Sequence, residues 1–176
     1  MTVLVTGGAG YIGSHMVHAL VDAGESVVVI DNLSTGFAAF LPEGVPLFIG
    51  DAGDENLVGG VIAQHGIESI IHFAGSIVVP DSVRDPLGYY RNNTMTTRSL
   101  LNAAVKSGVK RFIFSSTAAV YGNPEQVPGL ECGCRGWCFC ARRHASPSMS
   151  TSSVPSISWR RTWTLCFSDV GRFLPT

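Results

Sequence analysis

The sequence predicts an α/β fold in which helices cover both faces of a parallel sheet, and two observations lead to that class. Short β-branched runs, too short for buried helices, alternate with longer segments whose apolar residues recur at helical spacing. The first of these runs opens directly onto a glycine-rich loop, Gly7-Gly8-Ala9-Gly10. Strands that alternate with helices are joined by right-handed crossovers, which produce a parallel sheet with helices on both sides.

The predicted elements follow one another in the order β, α, β, β, α, β, α, β. Strands are predicted at residues 3–5, 26–30, 46–49, 69–73 and 111–114, and helices at residues 11–23, 55–64 and 89–107. Gly24 is expected to follow the end of the first helix, and Asp54 is expected to cap the second. The alternation predicts a doubly wound, Rossmann-type parallel sheet that is truncated and followed by an irregular C-terminal tail.

Composition divides the chain near Pro128. Residues 1–128 carry six Lys and Arg against eleven Asp and Glu, whereas residues 129–176 carry six Arg against two acids. All five cysteines and all three tryptophans lie after Pro128, where the hydrophobic periodicity also ends. We therefore expect one domain over residues 1–128 and an aberrant or disordered tail over residues 129–176.

Charge and hydropathy patterning exclude several classes of partner. The formal net charge of -1 gives no electrostatic reason to expect nucleic acid or a membrane surface as a partner. The apolar runs are shorter than the roughly 18 to 20 residues that a transmembrane helix needs. The first residues lack the basic region of a signal peptide, so a cytoplasmic protein is the expectation.

The glycine loop and one acidic residue predict a dinucleotide site. Gly7, Gly10 and Gly13 have the spacing GxxGxxG, which alone also fits a simple turn. In a Rossmann turn, such glycines provide the bend, the close approach of backbone to a pyrophosphate, and the contact between helix and sheet. Asp31 ends the second predicted strand, where a carboxylate accepts hydrogen bonds from adenosine ribose hydroxyls and repels the 2′-phosphate of NADP. The pair predicts NAD as cofactor.

Six motifs in order resemble the UDP-glucose 4-epimerase family of the extended short-chain dehydrogenase group. They are TGGAGYIGSH at 6–15, DNLSTG at 31–36, GD at 50–51, HFAG at 72–75, YYRNN at 89–93 and FSSTAAVYG at 114–122. The resemblance covers roughly residues 1–128. Other sugar-nucleotide epimerases and 4,6-dehydratases of the same group remain alternatives.

The resemblance implies which residues contact NAD. The pyrophosphate would meet the start of the first helix, the ribose would meet the 31–36 segment, and Asn92 would fix a loop beside the dinucleotide. The implied cofactor-binding residues are Gly7, Gly10, Tyr11, Ile12, Gly13, Asp31, Asn32, Leu33, Ser34, Thr35, Gly36, Asp51, Ala52, Phe73, Ala74, Gly75 and Asn92. Thr117 matches the catalytic Ser/Thr that bonds the sugar 4-hydroxyl, and Ile77 stands where many relatives carry a lysine.

The reaction that the resemblance implies is the NAD-dependent interconversion of UDP-glucose and UDP-galactose through a 4-keto intermediate. It needs a tyrosine base with a lysine four residues later, because a phenolate near neutral pH requires a nearby cation. None of the four tyrosines has such a lysine, and no lysine follows Lys110. We therefore expect this chain to be inactive as written.

The tail and the missing catalytic pair allow further readings. We expect the family's sugar-binding domain to be absent and the tail to come from a shifted reading frame. A non-catalytic NAD-binding fragment is the alternative function.

Zinc is disfavoured, because the four clustered cysteines have the spacing CxCx3CxC rather than two CxxC knuckles. A UDP-sugar substrate and a homodimer follow from the resemblance alone.

Overall fold

A five-stranded sheet organises residues 1–116, which are the residues that the computed structural model describes. All four strand pairings are parallel, and the order across the sheet is β3-β2-β1-β4-β5. The strands are β1 (Thr2–Thr6), β2 (Ser26–Asp31), β3 (Leu47–Ile49), β4 (Ser69–His72) and β5 (Arg111–Phe114). This order is that of a doubly wound Rossmann sheet, so the predicted fold class is confirmed.

The helices lie between the strands along the chain. They are α1 (Tyr11–Asp22), α2 (Glu55–His65), α3 (Val79–Arg84), α4 (Pro86–Tyr90) and α5 (Thr96–Lys106). A π-helical turn, Arg91–Met95, joins α4 to α5, so the predicted helix at residues 89–107 lies within one longer helical stretch. The sequence pattern missed α3 and the 3-10 turn Ala38–Phe40, since both are short and bury no residue.

The predicted caps of the first two helices are confirmed. An oxygen of the Asp54 side chain accepts hydrogen bonds from the backbone N–H groups of Asn56 and Leu57 at 2.9 and 3.1 Å. These bonds satisfy two of the donors that the first turn of a helix leaves free. Gly24 follows α1 with φ +78°, a backbone conformation that glycine adopts without steric cost.

Two hydrophobic clusters cover the two faces of the sheet. One packs α2 and α5 against the sheet and includes Leu4, Ile70 and Leu100. The other packs α1 against the opposite face and includes Val5 and Val17. Because both faces are covered, the central strands read as continuous apolar runs rather than as an alternating pattern.

The structure bears on the expected lack of a membrane span but not on the expected domain boundary. Within residues 1–116, no helix is both long and apolar enough to cross a bilayer. The expected domain boundary at Pro128 and the tail at residues 129–176 lie outside the residues that the structure describes.

Candidate functional site

The sequence-predicted cofactor residues meet at one edge of the sheet. Apart from Asn92, they follow the carboxyl ends of β1, β2, β3 and β4, or begin α1. The chain crosses to one side of β1 to form β2 and β3, and to the other side to form β4 and β5. The crevice outside the ends of β1 and β4 is therefore the topological switch point, where open α/β sheets bind ligands.

Of the three spaced glycines Gly7, Gly10 and Gly13, the first and the last have no room for a side chain. Gly7 has φ +72°, and a Cβ atom there would lie 2.6 Å from the backbone nitrogen of Ala74. A Cβ atom on Gly13 would overlap the carbonyl oxygen of Gly7 and lie 2.8 Å from Cα of Gly8. Gly10 is less confined, since the nearest atom to its Cβ position is 3.3 Å away. The bend is therefore made at Gly7, and the close packing of α1 on the loop is made at Gly13.

The start of α1 is suited to an anion. Gly10 caps the helix without a side-chain hydrogen bond, and no acidic residue lies in the first turn. The exposed N–H groups and the helix dipole make this end of the helix positive. The side chains of Tyr11 and Ile12, in this first turn, are exposed.

The Asp31 carboxylate ties β2 to the glycine loop. One oxygen accepts a hydrogen bond from the Ala9 N–H at 2.9 Å, and the other accepts from the Leu33 N–H at 2.8 Å. Asp31 is 8% exposed, and Leu33 adopts φ +56°. An ionised carboxylate offers about four acceptor positions, of which these two hydrogen bonds use two. The Ala9 contact was missed by the sequence analysis, because a loop alanine carries no pattern that marks it.

The segment after Asp31 also packs on Ala9. The Phe37 N–H donates to the carbonyl oxygen of Ala9 at 3.0 Å, and a Cβ atom on Gly36 would lie 2.7 Å from the Ala9 carbonyl carbon. Asn32 accepts from the Ser34 N–H at 3.0 Å through its side-chain oxygen. Asn32, Ser34 and Thr35 are exposed beside this contact. The 31–37 segment and the glycine loop therefore form one surface.

The remaining predicted cofactor residues differ in how much surface they offer. Asp51 is exposed and accepts a hydrogen bond from the Gly53 N–H at 2.7 Å. Ala52 is only 5% exposed, so it offers little surface for a ligand in this conformation. Phe73 is half-buried and packs on the same hydrophobic cluster as α1. Thr117, the expected catalytic residue, lies outside the residues that the structure describes.

A buried histidine lies beneath the site. His72, at the end of β4, contacts Thr6 Oγ1 through Nδ1 at 2.6 Å and Thr97 Oγ1 through Nε2 at 2.9 Å. Burial lowers the pKa of His72 from 6.5 to about 4, because the imidazolium form loses its hydration. The ring is therefore neutral near pH 7. The sequence analysis quoted His72 only as part of a motif, since a lone histidine in a strand gives no sign of its partners.

The described residues form a Rossmann-type protein with a layout suited to a dinucleotide. Four features define it: the order of the strands, the bend at Gly7, the start of α1 without a side-chain cap, and the buried carboxylate of Asp31. A family model described as the NAD dependent epimerase/dehydratase family matches residues 3–135. The chain belongs to that family.

Three similar proteins illustrate the relationship. The UDP-glucose 4-epimerase of Azospirillum brasilense is 56% identical over 126 residues, covering 72% of this chain and 36% of the relative. A UDP-glucose 4-epimerase structure from Bifidobacterium longum in complex with NAD+ and UDP is 40% identical, with a TM-score of 0.69 over 74% of this chain and 41% of the relative. One from Stenotrophomonas maltophila, with bound NAD and formylated UDP-arabinopyranose, is 35% identical, with a TM-score of 0.70 over 75% of this chain and 41% of the relative. The chain thus spans about two fifths of the length of these relatives.

Replacing Gly13 by alanine is expected to destabilise the chain, whereas the same change at Gly60 is expected to stabilise it. Both glycines lie inside helices, but a Cβ atom on Gly13 meets loop backbone and one on Gly60 meets nothing within 4 Å. Gly60→Ala gains about 0.5 to 1 kcal/mol of helix propensity, whereas Gly13→Ala costs about 1 to 3 kcal/mol of overpacking. Urea unfolding followed by circular dichroism measures both. Effects of the same sign would contradict the close contact at Gly13.

The chain is expected to lose stability as the pH falls from 7 to 5. The pKa of His72 is about 4 in the folded chain and 6.5 for the unperturbed group, so the unfolded chain binds the proton first. The linked loss is about 2 kcal/mol between these pH values. The hydrogen bond from Asn102 is the chief reason that the pKa of Glu55 is lowered from 4.5. Most of the stability linked to Glu55 is therefore lost below pH 4.5, outside this window.

Urea unfolding at several pH values measures this loss. His72→Gln is expected to remove most of the slope, and His15→Gln, a change at an exposed histidine, is expected to keep it. As a second measurement, the His72 ring is followed by NMR in the unmodified protein. An imidazole that titrates near pH 6.5 would contradict its burial.

Proposed function

We propose that residues 1–128 bind NAD and that the chain is the cofactor-binding part of a UDP-glucose 4-epimerase. The observation that carries this proposal is the Asp31 carboxylate, which is held by the glycine loop at the end of β2 and still has acceptor positions for ribose hydroxyls. The same negative charge disfavours the 2′-phosphate of NADP. The relatives whose structures hold NAD support the choice of cofactor.

The residues around the crevice fit the parts of a dinucleotide. The N–H groups that begin α1 would bind the pyrophosphate, and Asp31 would bind the adenosine ribose. The segment after β4, at residues 73–75, lies against Gly7 and would line the middle of the dinucleotide. Asp51 and Ala52 would lie beside the adenine, with Ala52 limited by its burial. The adenine, the ribose, the pyrophosphate and the middle of the dinucleotide would thus lie beside β3, β2, β1 and β4, in the order of the strands across the sheet.

The chemistry of the proposed family reaction sets what this chain can do. The start of α1 and the Asp31 carboxylate would hold NAD, which would supply reversible hydride transfer at the sugar C4. Thr117 would hold the 4-hydroxyl, but the sequence carries no tyrosine with a lysine four residues later to take the hydroxyl proton. Loss of a general base costs a factor of about 10² to 10⁴ or more in rate. We therefore propose that the chain as written binds the cofactor without turning over a UDP-sugar.

The same reasoning covers the domain organisation. We propose a cofactor domain over residues 1–128 and a tail over residues 129–176 that comes from a shifted reading frame. The change in charge and in cysteine and tryptophan content after Pro128 supports this division. Sequencing the gene across the Pro128 codon tests it, and an intact frame there would overturn it.

Asp31→Asn is expected to weaken NAD binding by about tenfold or more, because hydrogen bonds to a charged group are worth about 1.5 to 3 kcal/mol. The variant also removes the charge that rejects NADP, so the preference for NAD over NADP is expected to shrink. Titration calorimetry on the full chain measures both ligands. Asp22→Asn, an exposed acid at the far end of α1, is the matched control. Unchanged NAD affinity in Asp31→Asn would overturn the cofactor assignment.

The full chain is expected to form no UDP-glucose from UDP-galactose while still binding NAD. The missing tyrosine and lysine remove the base and the cation that lowers its pKa. Incubation with NAD and UDP-galactose, followed by chromatography of the nucleotide sugars, measures turnover, and calorimetry on the same sample measures cofactor binding. Turnover above that of a heat-treated sample would show that another residue supplies the base.

A further inference from the structure

Two neighbouring asparagines hold one loop residue beside the candidate cofactor site. The side-chain oxygen of Asn93 accepts a hydrogen bond from the Ser76 N–H at 2.7 Å, and its amide donates to the Ser76 carbonyl oxygen at 2.9 Å. The Asn92 amide donates to Ser76 Oγ at 2.7 Å. Three hydrogen bonds therefore fix Ser76, the residue that follows the segment in contact with Gly7. We refer to these three bonds as the Ser76 clamp.

The Ser76 clamp coincides with the π-helical turn between α4 and α5. The N–H of Thr96 donates to the carbonyl oxygen of Arg91, five residues earlier, which makes this turn wider than an α-helical one. Single π turns inside α-helices are rare and occur frequently at functional sites. Both asparagines of the clamp lie in this turn. The irregularity thus falls where the helix reaches the loop.

A series of hydrogen bonds, buried at Thr6 and His72 and half-buried at Thr97 and Asn93, connects the clamp to β1. The Thr97 hydroxyl donates its one proton to the carbonyl oxygen of Asn93 at 2.6 Å, so Thr97 Oγ1 accepts from His72 Nε2–H. His72 Nδ1 is then unprotonated and accepts from the Thr6 hydroxyl at 2.6 Å. Thr6 directly precedes Gly7. The hydrogen-bond chain therefore runs from the start of the glycine loop to Ser76.

The burial of the Thr6–His72 end makes the geometry of this series of hydrogen bonds hard to change. Thr6 and His72 are fully buried. A buried polar group left without its partner costs about 1 to 3 kcal/mol, so each member holds its neighbour in place. The side chain of Ile77, the next residue, is 86% exposed. The segment at residues 73–76 thus takes its position from the clamp and the strand end.

Building on the proposed function, we propose that Asn93, acting with Thr97 and His72, is a positioning residue of the cofactor site. It fixes the segment after β4 against the glycine loop, so that both can contact one dinucleotide without rearrangement. The spacing between these two segments is tight, because a Cβ atom on Gly7 would lie 2.6 Å from the Ala74 nitrogen. Preorganised contacts of this kind raise affinity by removing the entropic cost of ordering a loop on binding.

Asn93→Ala tests the proposal against a closely matched control, Asn102→Ala. Asn102 lies in α5 and also makes two side-chain hydrogen bonds, but they go to Glu55 in α2 rather than to the segment after β4. We expect Asn93→Ala to raise the NAD dissociation constant of the full chain by about tenfold or more, and Asn102→Ala by less than about twofold. Equal dissociation constants for the two variants, measured by calorimetry where both are folded, would overturn the proposal.

A second pair of variants covers the case in which Asn93→Ala does not fold. Thr97→Val removes the hydroxyl that joins His72 to Asn93 but keeps the side-chain shape, and Thr97→Ser keeps the hydroxyl. Thr97→Val is expected to weaken NAD binding by about threefold to tenfold, and Thr97→Ser to remain within about twofold of the unmodified chain. Equal affinities for these two variants would also contradict the proposal.

Hydrogen exchange separates the failure of this proposal from the failure of the proposed function. In protein without NAD, the Ser76 amide is protected by Asn93, so Asn93→Ala or Thr97→Val is expected to speed its exchange at least about tenfold, while Asn102→Ala leaves it unchanged. If the unmodified chain binds no NAD, the proposed function fails, and the exchange rates alone decide whether the clamp orders the loop. Unchanged Ser76 exchange in the clamp variants would overturn the clamp.

Discussion

The hydrogen bond from the Ala9 N–H to the Asp31 carboxylate is the contact on which the candidate site depends. It joins the loop after β1 to the end of β2, and both partners are buried. Phe37 and Gly36 then pack on the same alanine, so the two segments expected to contact a pyrophosphate and a ribose share one backbone position. A carboxylate at this place therefore orders the loop within the protein, and it has further acceptor positions beyond the two that these backbone groups use.

The two sides of the crevice are built by different means. On the β2 side, a charged acceptor and close backbone packing hold the glycine loop. On the β4 side, neutral groups do the equivalent work: His72 and Thr97 link Thr6 to the π turn, and Asn93 holds Ser76. This series of hydrogen bonds requires the neutral form of His72, because an imidazolium could not accept the hydrogen bond from the Thr6 hydroxyl. Burial, which lowers the pKa of His72, therefore also keeps the second side of the site intact.

Membership of the NAD dependent epimerase/dehydratase family accounts for this architecture. In an α/β protein of this type the cofactor domain supplies binding and orientation, while the proton chemistry needs a base at the reacting carbon. The described residues contain the parts expected for the first task. No tyrosine of this sequence has a lysine four residues later, the spacing that the proposed proton chemistry needs.

The sequence by itself determined the α/β fold class with its parallel sheet, the caps at Asp54 and Gly24, and the position of Asp31 at a strand end. These features depend on periodicity and on residue types with local conformational preferences, which short segments express without knowledge of their neighbours. Only the tertiary structure decided which groups meet across the fold: Ala9 with Asp31, His72 with Thr6 and Thr97, and Asn93 with Ser76. Those contacts join residues far apart in the chain, and a single sequence carries no local signal for a hydrogen bond whose partner another element supplies.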